Sequence, residues 1–486
     1  GKAAAFLRGF RALYLGLFFN CFIMASVSLA AIKIGEVLLG LPPLYTVLIA
    51  GTVTVIYSSL GGLRGVLFTD LIQFAMAMVG AIGAAIVALN LPEVGGLSGM
   101  LSHEAVQGKM SILPDFDNAE LAIAVFVVPL AVQWWSVWYP GSEPGGGGYI
   151  AQRMLSAKDE NNAIGAVFLF NALHYALRPW PWIIVALCSL IMFPDLQSLQ
   201  AEFPKAVTVD HDMGYPAMLT FLPTGLLGLV VASLIAAYMS TISTHLNWGS
   251  SYIVHDFYQR FLRPESSETE LVQVGRVCTV LLMVIAGALA LVLRSALGNF
   301  EIMLQIGAGT GLIFILRWFW WRINAFSELT AMVVSFLVAV YFQFVHVQVF
   351  GFAKIESAWI PLCIGIAITT AAWLVVTYLT RPADKETLVS FCKLVKAGGP
   401  GWKPIIDEAK AAGETFDDGA GWRVPQGILC MVLGCVAVYG ALFATGYWIY
   451  GKYGLAVAMT VVALAATAWL MSAWRKLLAK EPDVEV

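Results

Sequence analysis

The sequence predicts an all-α integral membrane protein with about twelve transmembrane helices. Three observations carry that prediction. Hydrophobic residues make up 59% of the 486 residues, and charged residues only 12%, about half the roughly 25% that a water-wetted surface requires. Mean hydropathy is +0.79. The apolar runs are long and continuous instead of alternating, which excludes a barrel.

A spanning helix needs about 20 mainly apolar residues. Runs of that kind, bounded by Gly, Pro and charge, fall at about 12–40, 44–60, 67–91, 120–150, 163–193 and 219–258. Six more lie at about 272–294, 300–322, 327–350, 357–380, 427–450 and 454–476. The longest must tilt or break.

Placing the N-terminus in the cytoplasm puts 21 of the 28 Lys and Arg residues in inner segments. Five lie outside (Lys109, Lys205, Arg294, Lys354 and Lys452), while Lys33 and Arg178 fall within spans. The positive-inside rule therefore predicts cytoplasmic termini in a plasma (cytoplasmic) membrane. The chain begins at Gly1, with Lys2, Arg8 and Arg11 directly ahead of the first apolar run and no signal-peptide pattern, so the expectation is an upstream start or a trimmed chain.

A net charge of −3 and a pI near 6.1 leave no global basic field for nucleic acid. The seven cysteines are scattered and form no CxxC, so neither a disulfide framework nor a zinc site is expected. No HExxH, GxSxG or P-loop motif occurs, and the four glycines 145–148 lack the Lys-Ser/Thr that a phosphate cradle carries, so no enzyme is predicted.

Polar groups within spans are expensive, and each is a functional hypothesis. In 236–247, Ala237, Ser240, Thr241 and Thr244 share one helical face, with Ser243 one step round. Hydroxyls and carbonyls are hard oxygen donors suited to small hard cations; the same residues also let helices approach closely and bond across. Asp70 opens the span that follows the turn Leu60 to Gly65. It serves either to satisfy a helix N-terminus or to give a cation site its negative charge.

Arg178 lies midway along 163–193, just before Pro179 and Pro181, which predict a kink there. Its guanidinium is either structurally paired or in contact with solute, and His174, one turn earlier, fills a polar niche or relays a proton. Segment 133–149 contains Gln133, Trp135, Tyr139 and Glu143 among two prolines and five glycines, so it cannot be one helix. Aromatics flanking such a break suit the wall of a small-molecule site or an interfacial belt. Segment 381–426, rich in charge and carrying a Gly/Pro stretch from Ala397 to Pro404, is expected to be a solvated cytoplasmic loop with one amphipathic helix at 385–396.

The sequence resembles the sodium:solute symporter family, which includes sodium-coupled sugar, proline, sialic acid and pantothenate carriers. The resemblance rests on the stretch Tyr57 to Gln73, on Tyr149 to Arg153 with Ala157 and Lys158, and on Tyr215-Pro216 with Leu222 to Leu229. It continues through Ala236 to Asn247 and Asp256 to Tyr258, covering most of residues 10–325 in order and spacing. The resemblance implies a LeuT-type five-plus-five inverted repeat with ions and solute near mid-membrane.

The resemblance also places the span 12–40 at the third core helix, with the first two core helices missing from this chain. Residues 1–325 would be the core bundle and 326–380 two peripheral helices. A cytoplasmic loop at 381–426, two C-terminal helices at 427–476 and a tail at 477–486 would follow.

For sodium, the resemblance implies Ala237, Ser240 and Thr241 as the family's carbonyl–hydroxyl–hydroxyl trio, and Asp70, Ser240, Ser243 and Thr244 as a second site found in some members. Arg178-Pro179 stands where sugar carriers place Lys-Pro, and Gln305 is a further polar contact. Gln133, Trp135, Tyr139 and Glu143 line the same expected solute site, although the stretch from Tyr139 to Gly148 departs from the sugar-carrier pattern. The implied function is sodium-coupled symport of a small polar organic solute by alternating access. A transporter-like solute sensor and a proton-coupled carrier are the rivals.

Overall fold

The computed structural model describes residues 2–60, 63–132, 153–204, 206, 209–293, 296–353, 355, 357–416 and 423–478, with the backbone alone at 57, 59–60, 63–70, 296–297 and 299–300. Every regular element among them is helical. Among the described residues, nine helices are long and apolar enough to cross a membrane, so the chain is a multi-pass membrane protein.

In chain order the principal helices are α1 (Lys2–Leu39), α2 (Pro43–Leu60), α3 (Leu63–Leu89), the short α4 (Ala119–Ala131), α5 (Glu160–Met192), the short α6 (Gly214–Leu219) and α7 (Thr224–Leu262). Then come α8 (Glu268–Ala290), α9 (Ala296–Ile306), α10 (Gly311–Phe319), α11 (Ala325–Gln348) and α12 (Trp359–Leu379). Two short helices, α13 (Lys385–Val395) and α14 (Lys403–Ala411), precede the last pair, α15 (Val424–Ile449) and α16 (Tyr453–Leu478).

Two compact units interleave along the chain. The first comprises Gly1–Tyr149, Pro181–Gly311 and Leu329–Ala372, and the second Ile150–Trp180, Leu312–Glu328 and Trp373–Val486.

In the first unit, α1, α2, α7 and α8 surround a core of Cys21, Met24, Tyr238, Ile242, Leu246, Leu282, Met283 and Ala286. Lipid is as apolar as leucine, so dispersion and close approach hold these helices together more than water exclusion does. Small residues provide that approach: a Cβ at Gly35 would lie 2.7 Å from Thr46 Oγ1, and one at Gly287 2.7 Å from Val47 Cγ1. The outward side of α3 keeps Leu71, Ile72, Val79, Ile82 and Ile86 exposed, as a lipid-facing stripe requires.

The run expected as one span at 300–322 is two helices. Backbone pairing turns tightly through 307–310, where Gly309 adopts φ +80° and a Cβ would sit 3.1 Å from the Ile366 carbonyl. Only glycine combines that dihedral with that contact. The run expected at 120–150 is helical over Ala119–Ala131, and 133–150 lies outside the described residues.

In the second unit, α15 and α16 form an antiparallel hairpin so close that a Cβ at Gly440 would lie 3.3 Å from Ala463 Cα. The loop 381–426 contains more than the single expected helix. Besides α13, it forms α14, and Leu388, Cys392, Trp402 and Ile405 make a small core between them. Trp402 Nε1 donates to the Trp318 carbonyl at 2.9 Å, while Trp321 N donates to Gly401 O at 3.2 Å, fastening this hairpin to the end of α10.

Candidate functional site

Helix α7 starts after Pro223, whose carbonyl accepts from Leu227 N at 2.8 Å. It stays α-helical through Ser251, then becomes a π-helix from Tyr252 to Leu262. Its middle carries the predicted oxygen face. Thr241 Oγ1 donates to the Ala237 carbonyl at 2.9 Å, and Ser243 Oγ donates to the Ser240 carbonyl at 3.1 Å.

Each hydroxyl thus gives its proton back to the helix and keeps its lone pairs for an electrophile. Ala237 is exposed, Ser240, Thr241 and Thr244 are half-buried, and Ser243 is buried. The donor set is all oxygen, as a hard monovalent or divalent cation requires. Among the described residues, no three His, Cys, Asp or Glu side chains gather as a softer metal centre would.

Helix α3 runs antiparallel along α7. A Cβ at Gly80 would meet Val230 Cγ2 at 3.1 Å, and one at Gly83 would meet Leu226 Cδ1 at 2.8 Å. The paired numbers sum to about 310, and continuing that register brings backbone position 70 level with position 240. The backbone of Asp70 is therefore level with the oxygen cluster by register, and its side chain lies outside the described residues.

Helix α1 fixes α7 from a neighbouring side. Asn20 Nδ2 donates to the His245 carbonyl at 2.8 Å, and His245 Nδ1 lies 2.8 Å from Asn20 Oδ1. Because the amide nitrogen donates, Oδ1 accepts, and His245 carries its proton on Nδ1. Ser28 Oγ and Tyr238 Oη pair at 3.2 Å further along the same seam. Neither Asn20 nor His245 was singled out by sequence reasoning; a lone Asn inside an apolar span was the available signal.

In the second unit, α5 passes through a π-helical turn, Ala172–Leu177, closed by Arg178 N donating to the Leu173 carbonyl at 2.9 Å. The expected distortion before Pro179 and Pro181 thus takes the form of a π segment, where side chains are re-aimed. Arg178 Nη1 lies 3.0 Å from His174 Nδ1. A guanidinium only donates, so His174 accepts there and holds its proton on Nε2. Phe170 stacks on the His174 ring with centroids 4.9 Å apart. Arg178 is exposed.

Gln305, in the first unit, donates through Nε2 to the Pro361 carbonyl at 2.9 Å, which ties α9 to α12. Gln133, Trp135, Tyr139 and Glu143 lie outside the described residues.

Residues 2–335 match the profile of the Sodium:solute symporter family. The chain is 27% identical over 327 residues to a sodium/glucose cotransporter of Vibrio parahaemolyticus, covering 64% of this chain and 59% of that protein. It is 29% identical over 329 residues to sodium/myo-inositol cotransporter 2 of Homo sapiens, covering 61% of this chain and 47% of that one. It therefore spans about half the length of the curated relatives it matches.

Among solved structures, the substrate-bound outward-open state of a Na+-coupled sialic acid symporter superimposes with a TM-score of 0.52 at 19% identity, over 78% of this chain and 80% of that one. That likeness shows the fold, a LeuT-type helix bundle. With the profile matching over two-thirds of its length, the chain belongs to the sodium:solute symporter family.

Proposed function

We propose that the protein is a sodium-coupled symporter that carries a small polar organic solute by alternating access. The observation that supports this most is the oxygen face of α7. Ala237, Ser240 and Thr241 offer one carbonyl and two hydroxyls, with Ser243 and Thr244 beside them and Asp70 level with the cluster on α3. Sodium is a small hard cation, and this is the ligand chemistry it accepts.

Sodium binding stabilises one orientation of the bundle, and solute completes the site before the bundle turns. Coupling requires each ligand to favour one state over the other. Every sodium moving inward down 100 mV contributes about 2.3 kcal/mol.

For the solute, the relatives described as sodium/glucose, sodium/myo-inositol and sodium/mannose cotransporters support a polyhydroxylated ligand. The exposed Arg178, a bidentate donor, favours a solute that also carries a carboxylate. Gln133, Trp135, Tyr139, Glu143 and Gln305 complete the proposed contact set. The bias of Lys and Arg supports cytoplasmic ends in a plasma membrane.

The test is uptake of a panel of labelled sugars, polyols, sugar acids and amino acids into proteoliposomes holding the full-length protein. Uptake of a panel member should need an inward sodium gradient. Uptake indifferent to sodium and abolished by collapsing a proton gradient contradicts the proposal.

A further inference from the structure

We propose that Asn20 and His245 form a positioning clasp that sets the rotation of α7 about its own axis, and thereby the aim of its cation-binding oxygens. The inference rests on the sodium reading of Ala237, Ser240 and Thr241, and adds to it two residues that touch no ion.

The first support is angular. At about 100° per residue, Ser240, Thr244, Ala237 and Thr241 occupy an arc of about 100°, and His245 and Tyr238 lie about 40–60° beyond Thr241. The stripe that grips α1 therefore runs directly alongside the oxygen face. Along that stripe the antiparallel pairs are Ser28 with Tyr238 and Asn20 with His245, followed by a backbone crossing at Gly16 and Gly249.

The second support is the completeness of the clasp. Asn20 is fully buried and His245 nearly so. One amide engages both the main chain and the ring of the same residue, each at 2.8 Å, so α7 can neither slide nor turn without breaking both bonds. Gly249 makes the approach possible: a Cβ there would collide with the Asn20 amide and lie 2.6 Å from the Gly16 carbonyl.

The third support is what flanks the clasp. Two π segments meet at this crossing, Tyr14–Phe19 in α1 and Tyr252–Leu262 in α7. π turns change helix rotation locally, so a fixed point is needed if the oxygens are to hold their bearing. A hydroxyl about 5 Å from the helix axis moves about 2.5 Å for a 30° rotation. Cation–oxygen distances tolerate about 0.2 Å.

The experiment uses the purified full-length protein and sodium alone as the probe. Its thermal unfolding midpoint is titrated with NaCl, with choline chloride holding the ionic strength constant. Asn20→Leu and His245→Leu should each raise the half-saturating sodium concentration about five-fold or more, within the usual range of coupling between sites. The double variant removes both ends of the Asn20–His245 bond, so its sodium-free midpoint should fall by less than the two single losses combined. Its sodium response should still be shifted about five-fold.

His245→Asn keeps a donor at the Nδ1 position and should restore half-saturation to within about two-fold. If the leucine variants yield no folded protein, Asn20→Ser, which gives up the bond to the His245 carbonyl, is read the same way. Any folded clasp variant whose midpoint falls while its sodium titration matches the parent's makes the clasp merely structural and overturns the proposal. A parent that responds equally to NaCl and choline chloride overturns the sodium reading instead.

Discussion

The Lys33 ammonium lies 2.5 Å from Asp210 Oδ2, near the end of α1, and a second carboxylate, Asp212 Oδ2, takes it at 2.8 Å. Lys33 is buried, and Asp210 caps the short helical turn His211–Met213 that leads into α6. An unpaired lysine at this depth would carry a heavy desolvation penalty, so the two aspartates explain how α1 tolerates it. The pair also draws the segment ahead of α7 onto α1.

Lys33→Met should lower stability by about 2 kcal/mol. That is less than the roughly 3–5 kcal/mol for breaking a fully enclosed pair, because Asp212 keeps 38% of its side chain exposed and is screened by water. Asp210→Asn and Asp212→Asn added to Lys33→Met should recover most of the loss. Thermal unfolding in detergent checks both, and a harmless single variant would show that the carboxylates do not depend on the ammonium.

Gly446 of α15 is where Trp180 seats, with the indole against the glycine and Tyr450 edge-on to it at 5.6 Å. Gly446→Ala should displace Trp180 and lower stability by about 1–3 kcal/mol, the usual penalty for overpacking. Trp180→Leu in the same chain should relieve it. Because Trp180 is two residues from Arg178, the single variant should also weaken solute binding in an uptake assay, whereas the relieved double should bind better than the single.

The 385–411 hairpin has its own core. Burial holds the Cys392 thiol above its ordinary range, and its Sγ donates to the Ala397 carbonyl at 3.3 Å. At pH 8 Cys392 should react slowly with iodoacetamide, because the thiolate is the nucleophile. Trp402→Ala, which removes the fully packed indole at the hairpin's centre, should accelerate that reaction at least about ten-fold, the factor that about 1.4 kcal/mol of easier opening gives. Mass spectrometry of the labelled peptide measures both.

Glu414 accepts from Lys393 Nζ at 2.5 Å, and that bond with the lysine charge holds its carboxyl below the ordinary carboxylate range. A depressed carboxylate contributes stability above its unfolded pKa, near about 4.3, and loses it as pH falls through the depressed folded value. Glu414→Gln should therefore differ slightly from the parent at neutral pH and converge with it in acid. Hydrogen exchange across α13 and α14 at pH 7 and near pH 2.5 follows the difference.

Much of the architecture was legible in the sequence because apolar length is a strong, local signal. The helices at Trp359–Leu379 and Val424–Ile449 begin and end within a few residues of the expected spans. The oxygen face of α7 was legible for a related reason: Ala237, Ser240, Thr241 and Thr244 repeat at helical spacing within one element. The break at 307–310 was hidden, because Gly309 reads as an ordinary small residue in an apolar run until Thr369 and Ile366 crowd it.

Long-range pairings were equally hidden. Lys33 meets Asp210 across 177 positions and Asn20 meets His245 across 225, and neither partner lies near the other's motif. The core of α13 and α14 escaped because its turns are short and its composition is that of a solvated loop.

The central claim is that the hydroxyl face of α7 holds a sodium ion. Its most direct test is equilibrium binding of radiolabelled sodium to the purified full-length protein and to Thr241→Ala. The variant loses one oxygen ligand and keeps the helix, since alanine is the strongest helix former. Binding by the parent, with affinity reduced about ten-fold or more in Thr241→Ala, as the loss of one charge-assisted contact of about 1.5–3 kcal/mol gives, is the result predicted here. Equal sodium binding by the two proteins, or none by the parent, would contradict it.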